Sequence, residues 1–201
     1  KEFLERFAAR VKALKIGDGL DPDTDVGPVV NETQLETVMK YVEIGKNEGA
    51  KLVAGGHRAE SDGLSGGWFH EPTIFSSVEP QMRIAQEEIF GPVVAVISFS
   101  TFDEAIEIAN HVKYGLSASI YTRDVNQAYR AMRDLETGIV YVNAPTIGAE
   151  IQLPFGGTKG TGNGHREAGT AAIDFYSEWK TLYIDYSDRL QRAQIDAADL
   201  V

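Results

Sequence analysis

The sequence predicts an α/β fold built on a mainly parallel sheet with flanking helices. Apolar, strand-like runs at 93–99, 116–122 and 139–142 alternate with two amphipathic, helix-like stretches. The connections are short, and strand–helix–strand units of this kind join parallel strands through right-handed crossovers. The apolar share of 43% and the charged share of 24% are ordinary for a globular domain, and 201 residues suffice for one sizeable core.

The N-terminal half is predicted to hold two helices and two strands. Asn31, followed by Gln34 three residues later, is typical of a helix start, because a short polar side chain there accepts a free backbone N–H. Pro72 lacks an N–H, so the strand that contains it must be an edge strand or be interrupted there. The predicted elements are a helix over 2–15, a helix from Asn31, a strand over 51–54 and a strand over 68–75.

The C-terminal half changes character at residue 144. Before it, the pair Thr101 and Glu104 predicts a capping box, and Asp124 predicts the cap of the next helix. Residues 144–169 are dense in glycine without a period, which is typical of a functional loop or of a segment wrapped over another domain. An aromatic-rich strand is predicted over 179–187, followed by an acidic tail over 188–201.

Charge and composition exclude several classes of function. Lys and Arg number 19 and Asp and Glu number 30, a net charge of −11, which argues against binding to nucleic acid or to an anionic membrane. The sequence has no cysteine, so disulfides and thiolate metal sites are excluded, and a cytoplasmic location is expected. The four histidines are scattered without metal-ligand spacing, and no metal site is predicted.

Residues 86–92, Gln-Glu-Glu-Ile-Phe-Gly-Pro, are the strongest candidate site. Two adjacent carboxylates, Glu87 and Glu88, and the aromatic Phe90 precede a Gly-Pro turn and an apolar strand. A surface turn has no general need for an aromatic residue. A carboxylate that accepts hydrogen bonds, next to a flat apolar face, is typical of a ligand-binding edge.

This motif resembles the signature of the NAD(P)-dependent aldehyde dehydrogenase superfamily. Further blocks agree in the same order, namely Gly55-Gly56, 68–75, 114–122, 138–143 and 153–160. The resemblance covers the chain from Lys1 to about Ser187 and is to the C-terminal part of the family. It implies a three-layer α/β catalytic domain followed by a C-terminal oligomerisation strand.

The resemblance also implies roles for three side chains. Glu88 is expected to accept hydrogen bonds from both hydroxyls of the nicotinamide ribose of NAD or NADP, since its two oxygens can bind both at once. Phe90 is expected to pack near the nicotinamide. Phe155 is expected to form an apolar wall of the substrate pocket, where it excludes water.

The loop after Asn143 corresponds to the family's substrate-contacting loop. It carries Ile147 and Gly148 where many members have an aromatic residue, and its Pro-Thr-x-Gly-Ala-Glu pattern resembles the α-aminoadipate semialdehyde dehydrogenase branch. In that branch the backbone amides corresponding to Gly148 and Ala149 help to hold a substrate carboxylate. Exposed amides suit an anion on an acidic protein, because they supply local positive potential without a side chain. The alternative is a pocket of a different shape.

The family uses a cysteine thiolate as its nucleophile, and this sequence has none. We therefore expect a C-terminal fragment with no catalytic residue of its own, inactive in isolation. Its expected parts are a catalytic-domain portion over 1–157, a wrapping segment over 158–178, an oligomerisation strand over 179–187 and a tail over 188–201. Edge pairing of residues 180–187 with a second copy would make a homo-oligomer.

Two alternatives remain at this stage. The first is a stand-alone binding or oligomerisation module derived from the family, which the absence of cysteine favours. The second is a calcium protein, because residues 21–32 superficially match an EF-hand loop. That match fails at the sixth position, where the loop needs glycine and Val26 stands instead.

Overall fold

The structure, a computed structural model, describes residues 1–61 and 63–188. Helices and strands are distributed along residues 2–175 of this range. The helices are α1 (Glu2–Lys12), α2 (Glu32–Asn47), α3 (Arg83–Gln86), α4 (Phe102–Asn110), α5 (Val125–Asp134) and α6 (Ala171–Phe175). The strands are β1 (Lys51–Ala54), β2 (Thr73–Ser76), β3 (Val93–Ala95), β4 (Tyr114–Gly115), β5 (Ser117–Ile120), β6 (Ile139–Val142) and β7 (Thr158–Lys159).

Helices α2, α4 and α5 begin at the polar residues that the sequence predicts. At the start of α2, Asn31 Oδ1 accepts the backbone N–H of Gln34 at 2.9 Å. At the start of α4, Thr101 Oγ1 accepts the N–H of Glu104, and the Glu104 carboxylate accepts the N–H of Ser100 at 2.7 Å. The cap of α5 is formed in the same way. These local predictions are confirmed, because each needs only residues within one turn of the helix.

The main core lies between α2 and the sheet that contains β2. Every residue of β2 is buried, and Phe75 and Ile74 are completely inaccessible to solvent. Gly45 allows α2 to approach closely, since a Cβ there would lie 3.0 Å from the Ile84 side chain. The central cluster comprises Val42, Ala50, Phe75, Val78 and Ile84. It anchors the chain on both sides of the 86–92 motif.

The α/β class is confirmed, but the described strands do not form the one mainly parallel sheet that the sequence predicts. The described strands form one sheet of order β1–β2–β3 and two two-stranded sheets, β4–β7 and β5–β6. Strand β2 is antiparallel to β1 and parallel to β3, and β5 is parallel to β6. The strands are two to four residues long, so few ladder hydrogen bonds are available to join them into one sheet.

Two strand predictions are corrected in detail. The apolar run at 93–99 forms a strand only over Val93–Ala95, and Val94 is 44% exposed instead of buried. The segment 68–75 is interrupted at Pro72, as the missing N–H requires, and β2 begins at Thr73 in the centre of its sheet.

The predicted strand over 179–187 is not formed. These residues have no regular secondary structure, and Trp179, Tyr183 and Tyr186 are almost fully exposed. A strand is stabilised by hydrogen bonds to a neighbouring strand, and none pairs with this segment among the described residues. Most of the predicted tail, 189–201, lies outside the described residues.

Candidate functional site

The 86–92 motif begins where the short helix α3 ends. Glu87 caps α3 with an extended backbone, at φ −111° and ψ 145°. Its carboxylate accepts two hydrogen bonds from Arg83, at 3.0 Å from Nε and 2.7 Å from Nη2. Tyr41 Oη of α2 donates a third, at 2.7 Å. The first carboxylate of the motif is therefore bound within the protein and ties α3 to α2.

These contacts shift the pKa values of Glu87, Arg83 and Tyr41. The hydrogen bonds from Arg83, and after them the bond from Tyr41, lower the pKa of Glu87 to about 2, because they favour the anionic form. The same contacts raise the pKa of Arg83, and the bond to Glu87 raises the pKa of the Tyr41 hydroxyl. Glu87 is consequently an anion, and Arg83 a cation, throughout the neutral pH range.

The second carboxylate of the motif, that of Glu88, lacks such contacts. Glu88 is exposed and makes no hydrogen bond or ion pair with any described residue. Phe90, two residues later, is 74% exposed, although large aromatic side chains are usually buried. A free carboxylate and an exposed aromatic ring thus lie on one short segment.

The backbone that carries them is anchored on both sides. Gln34 Nε2 of α2 donates to the carbonyl of Phe90 at 2.9 Å. Gly91 packs so closely on Val38 of α2 that an added Cβ would overlap the valine side chain. One residue later, the carbonyl of Pro92 accepts the N–H of Thr73 at 2.8 Å. The exposed side chains are therefore presented by a segment with little freedom to move.

Phe155 lies at a different place, between two clefts. It pairs with Glu167 through backbone hydrogen bonds in both directions, one of them at 2.9 Å. On one side is a cleft of about 680 Å³ that the glycine-rich stretch lines together with Leu116 and Phe175. On the other side is a cleft of about 420 Å³.

The substrate-loop residues lie near the second of these clefts. Ala149 and Phe155 line it together, so the structure brings these two predicted residues to one surface. Ile147 is 85% exposed, and Gly148 has φ +83°, a conformation that favours glycine. Tyr141 Oη donates to the Gly148 carbonyl at 3.1 Å. Neither cleft is lined by Glu88 or Phe90, so the structure does not unite the two halves of the predicted site.

Sequence reasoning missed the residues that hold the motif. Arg83 and Glu87 stand four residues apart, a spacing that pairs side chains on one helical face and could have indicated the contact. Tyr41 and Gln34 are about fifty residues away in sequence and carried no such signal.

The acidic loop that resembles an EF-hand uses its carboxylates internally. Asp21 accepts from Lys15 Nζ at 3.0 Å and from the N–H of Asp23 at 2.9 Å, and Asp25 accepts the N–H of Lys15. In the described residues no three His, Asp or Glu side chains are grouped to hold a metal ion. The helices of the described range are all too short or too polar to cross a membrane.

Comparisons with known proteins agree with the motifs. The aldehyde dehydrogenase family model matches residues 1–182. An alpha-ketoglutarate semialdehyde dehydrogenase of Haloferax volcanii is 47% identical over 92% of this chain and 38% of its own length. A betaine aldehyde dehydrogenase of Mesorhizobium japonicum is 44% identical over the same shares.

Solved structures give the same result. The crystal structure of betaine aldehyde dehydrogenase from Staphylococcus aureus in complex with NAD⁺ superposes with a TM-score of 0.84 at 38% identity, over 87% of this chain and 34% of that one. The chain therefore spans little more than a third of the length of these relatives. The resemblance predicted from the sequence is confirmed: this chain belongs to the aldehyde dehydrogenase family.

Proposed function

We propose that the chain supplies the nicotinamide-ribose contact and part of the substrate pocket of an NAD(P)-dependent aldehyde dehydrogenase. The observation that carries this proposal is the unpaired, exposed carboxylate of Glu88 beside the exposed ring of Phe90, on a segment that α2 holds in place. A preorganised carboxylate with free lone pairs binds a vicinal diol without first losing internal hydrogen bonds.

The described residues fit this cofactor. The two oxygens of Glu88 match the two hydroxyls of a ribose, and Phe90 offers an apolar face to a planar ring. The bound nicotinamide would accept the hydride from the substrate. The NAD⁺ complex of the Staphylococcus aureus relative supports NAD in particular, and NADP remains the alternative.

Replacement of Glu88 by alanine in the complete gene product tests this role. Loss of a charged hydrogen-bonding group raises the dissociation constant for NAD⁺ about tenfold or more. Glu107→Ala is the matched control, because Glu107 is an exposed carboxylate on α4 that makes no hydrogen bond or ion pair in the described region. Equal NAD⁺ affinity in both variants, measured by calorimetry, would contradict the role.

We further propose that the substrate is a semialdehyde that carries a carboxylate. The amides of Gly148 and Ala149 donate no hydrogen bond to any described residue, which leaves two donors beside the cleft that Phe155 lines. Such amides bind an anion well. The alpha-ketoglutarate semialdehyde dehydrogenases of Haloferax volcanii and Bacillus subtilis, at 47% and 42% identity, also support an acidic substrate.

The betaine aldehyde dehydrogenases among the relatives support a cationic substrate as the competing possibility. The discriminating measurement is kcat/KM of the complete gene product for alpha-ketoglutarate semialdehyde, betaine aldehyde and an uncharged aldehyde of similar size. Our proposal requires the first to exceed the uncharged aldehyde. A preference for betaine aldehyde would reject it and would leave the family assignment intact.

The 201 residues alone are expected to be inactive. Their sequence contains no cysteine, so it offers no thiolate to attack an aldehyde. The expected division into 1–157, 158–178, 179–187 and 188–201 belongs to this proposal, as does a cytoplasmic location. NAD⁺-dependent aldehyde oxidation by the 201-residue polypeptide, with its mass verified, would disprove the expected inactivity.

We also propose that residues 180–187 become a strand when a second copy is present. The segment exposes Leu182, Tyr183 and Ile184, and its backbone lacks a partner strand in the described part of the chain. An extended apolar segment of this kind is stabilised by edge pairing. Sedimentation of the complete gene product, compared with a variant that carries Tyr183→Asp and Ile184→Asp, tests it, and an unchanged oligomeric state in the variant would reject it.

A further inference from the structure

The two adjacent glutamates of the 86–92 motif differ in their contacts and in their exposure, and the backbone at Glu87 accounts for the difference. Glu87 is extended, and consecutive side chains of an extended chain point to opposite sides. Glu87 is bonded to Arg83 and Tyr41 on the protein side. Glu88 is therefore directed away from those partners, in agreement with its exposure.

The next two residues also alternate in exposure. Ile89 packs against the main core cluster, and Phe90 is 74% exposed. Glu87 and Ile89 thus hold one side of the segment to the protein, and Glu88 and Phe90 occupy the other. Loss of the Glu87 carboxylate would leave the Arg83 side chain and the Tyr41 hydroxyl without their hydrogen-bond acceptor.

We propose that Glu87 is a positioning residue, which, through Arg83 and Tyr41, aims the Glu88 carboxylate and the Phe90 ring at the cofactor. The proposal rests on the proposed role of Glu88 in binding the nicotinamide ribose. It assigns to Glu87 no contact with the cofactor. Its effect on binding must therefore pass through its neighbours in the motif.

The two-sided anchoring supports this assignment. Three hydrogen bonds converge on the Glu87 carboxylate from two helices, and Gln34 holds the Phe90 carbonyl from α2. Gln86 adds bonds to the carbonyls of Pro80, at 2.6 Å, and His111, at 2.7 Å. Glu88 is the residue within this span that is left without a partner among the described residues.

A double-mutant cycle in the complete gene product tests the proposal. The variants are Glu87→Ala, Glu88→Ala and the double replacement, and the readout is the NAD⁺ dissociation constant from calorimetry. We expect Glu87→Ala alone to weaken binding about three- to tenfold and to have little further effect once Glu88 is already alanine. Glu87→Gln, which keeps one acceptor oxygen, should recover part of the loss.

The control is Glu43→Gln on α2, which removes an exposed carboxylate paired with Lys46 and should leave NAD⁺ binding unchanged. If Glu87→Ala weakens binding equally with and without Glu88, the residue acts through general stability and the proposal is wrong. If Glu88→Ala weakens binding and Glu87→Ala does not, the positioning role alone fails. If Glu88→Ala has no effect, both the role of Glu88 and the positioning role fail.

Discussion

Residues 86–92, the proposed cofactor segment, and residues 145–149, the proposed substrate loop, are built in opposite ways. Residues 86–92 lie over a buried core and are tied to α2 and α3 through side chains. Residues 145–149 extend from the end of β6, and a hydrogen bond from Tyr141 to Gly148 is their tether within the described range. A ribose is the same in every reaction of the family, whereas the aldehyde differs. Under the proposed function, the more strongly anchored segment contacts the constant ligand and the less anchored loop contacts the variable one.

Removal of the core under the cofactor segment should have the largest effect. Phe75 is completely buried, and Phe75→Ala should lower the free energy of unfolding by about 3–5 kcal/mol, because it leaves a cavity between β2 and α2. Trp179, which is 93% exposed, is the contrasting site, and Trp179→Ala should change it by less than about 0.5 kcal/mol. Denaturant unfolding of both variants measures the difference, and equal losses would show that the two regions do not differ in packing.

A second substitution tests whether the loop of residues 153–157, which carries Phe155, is held in place by its contact with Gly138. Gly138 precedes β6, and a Cβ there would overlap the carbonyl of Gly156. Gly138→Ala should therefore displace that loop and destabilise the protein by about 1–3 kcal/mol. Gly19→Ala is the control, since its Cβ would meet no atom within 4 Å. A melting temperature as high as that of the control would mean that the loop is free to move aside.

Low pH should reduce the stability of the protein through the buried His70, which precedes β2. Burial lowers the pKa of His70 below its ordinary value of 6.5, an effect that the backbone of Glu71 opposes in part. As the pH falls, the unfolded chain therefore binds a proton at His70 before the folded chain does. The stability that neutral His70 contributes is fully present above pH 6.5 and decreases below it, by at most about 1.4 kcal/mol per pH unit.

The stability that Glu87 contributes is lost in a lower pH range than that of His70. The folded pKa of Glu87, about 2, lies below the ordinary 4.5, so its stabilisation is present above pH 4.5 and is lost as the pH falls toward 2. The free energy of unfolding, measured at pH 7, 6 and 5, should therefore distinguish the contribution of His70 from that of Glu87. His70→Leu should flatten the slope in this range, and Glu87→Gln should not. If the slope of unfolding free energy against pH is unchanged in His70→Leu, the acid sensitivity arises from other groups.

The smallest effect should be at the substrate loop. Tyr141→Phe removes the bond to the Gly148 carbonyl, worth about 0.5–1.5 kcal/mol, and should raise KM for the semialdehyde between about two- and tenfold. KM for NAD⁺ should stay the same, because Tyr141 is on the loop side and not on the 86–92 segment. A parallel rise in both constants would contradict the separation of the two regions.

Local chemistry in the sequence was enough to predict several features. The starts of α2, α4 and α5 follow from a polar side chain and the N–H two or three residues later, so no distant contact is needed. The interruption at Pro72 follows from the missing N–H. The family follows from ordered blocks of residues, and the comparisons confirm it.

Only the tertiary structure decided which strands pair and which residues hold the first glutamate of the motif. Strands of two to four residues carry too little pattern to specify a neighbour, so the one mainly parallel sheet expected from alternation is not confirmed by the pairing of the described strands. Glu87 and Glu88 are identical in chemistry. Tyr41, forty-six residues away, completes the set of bonds on the first, whereas the second bonds to no described residue. Such a contact depends on how α2 packs over α3, which the spacing of residues along the chain does not encode.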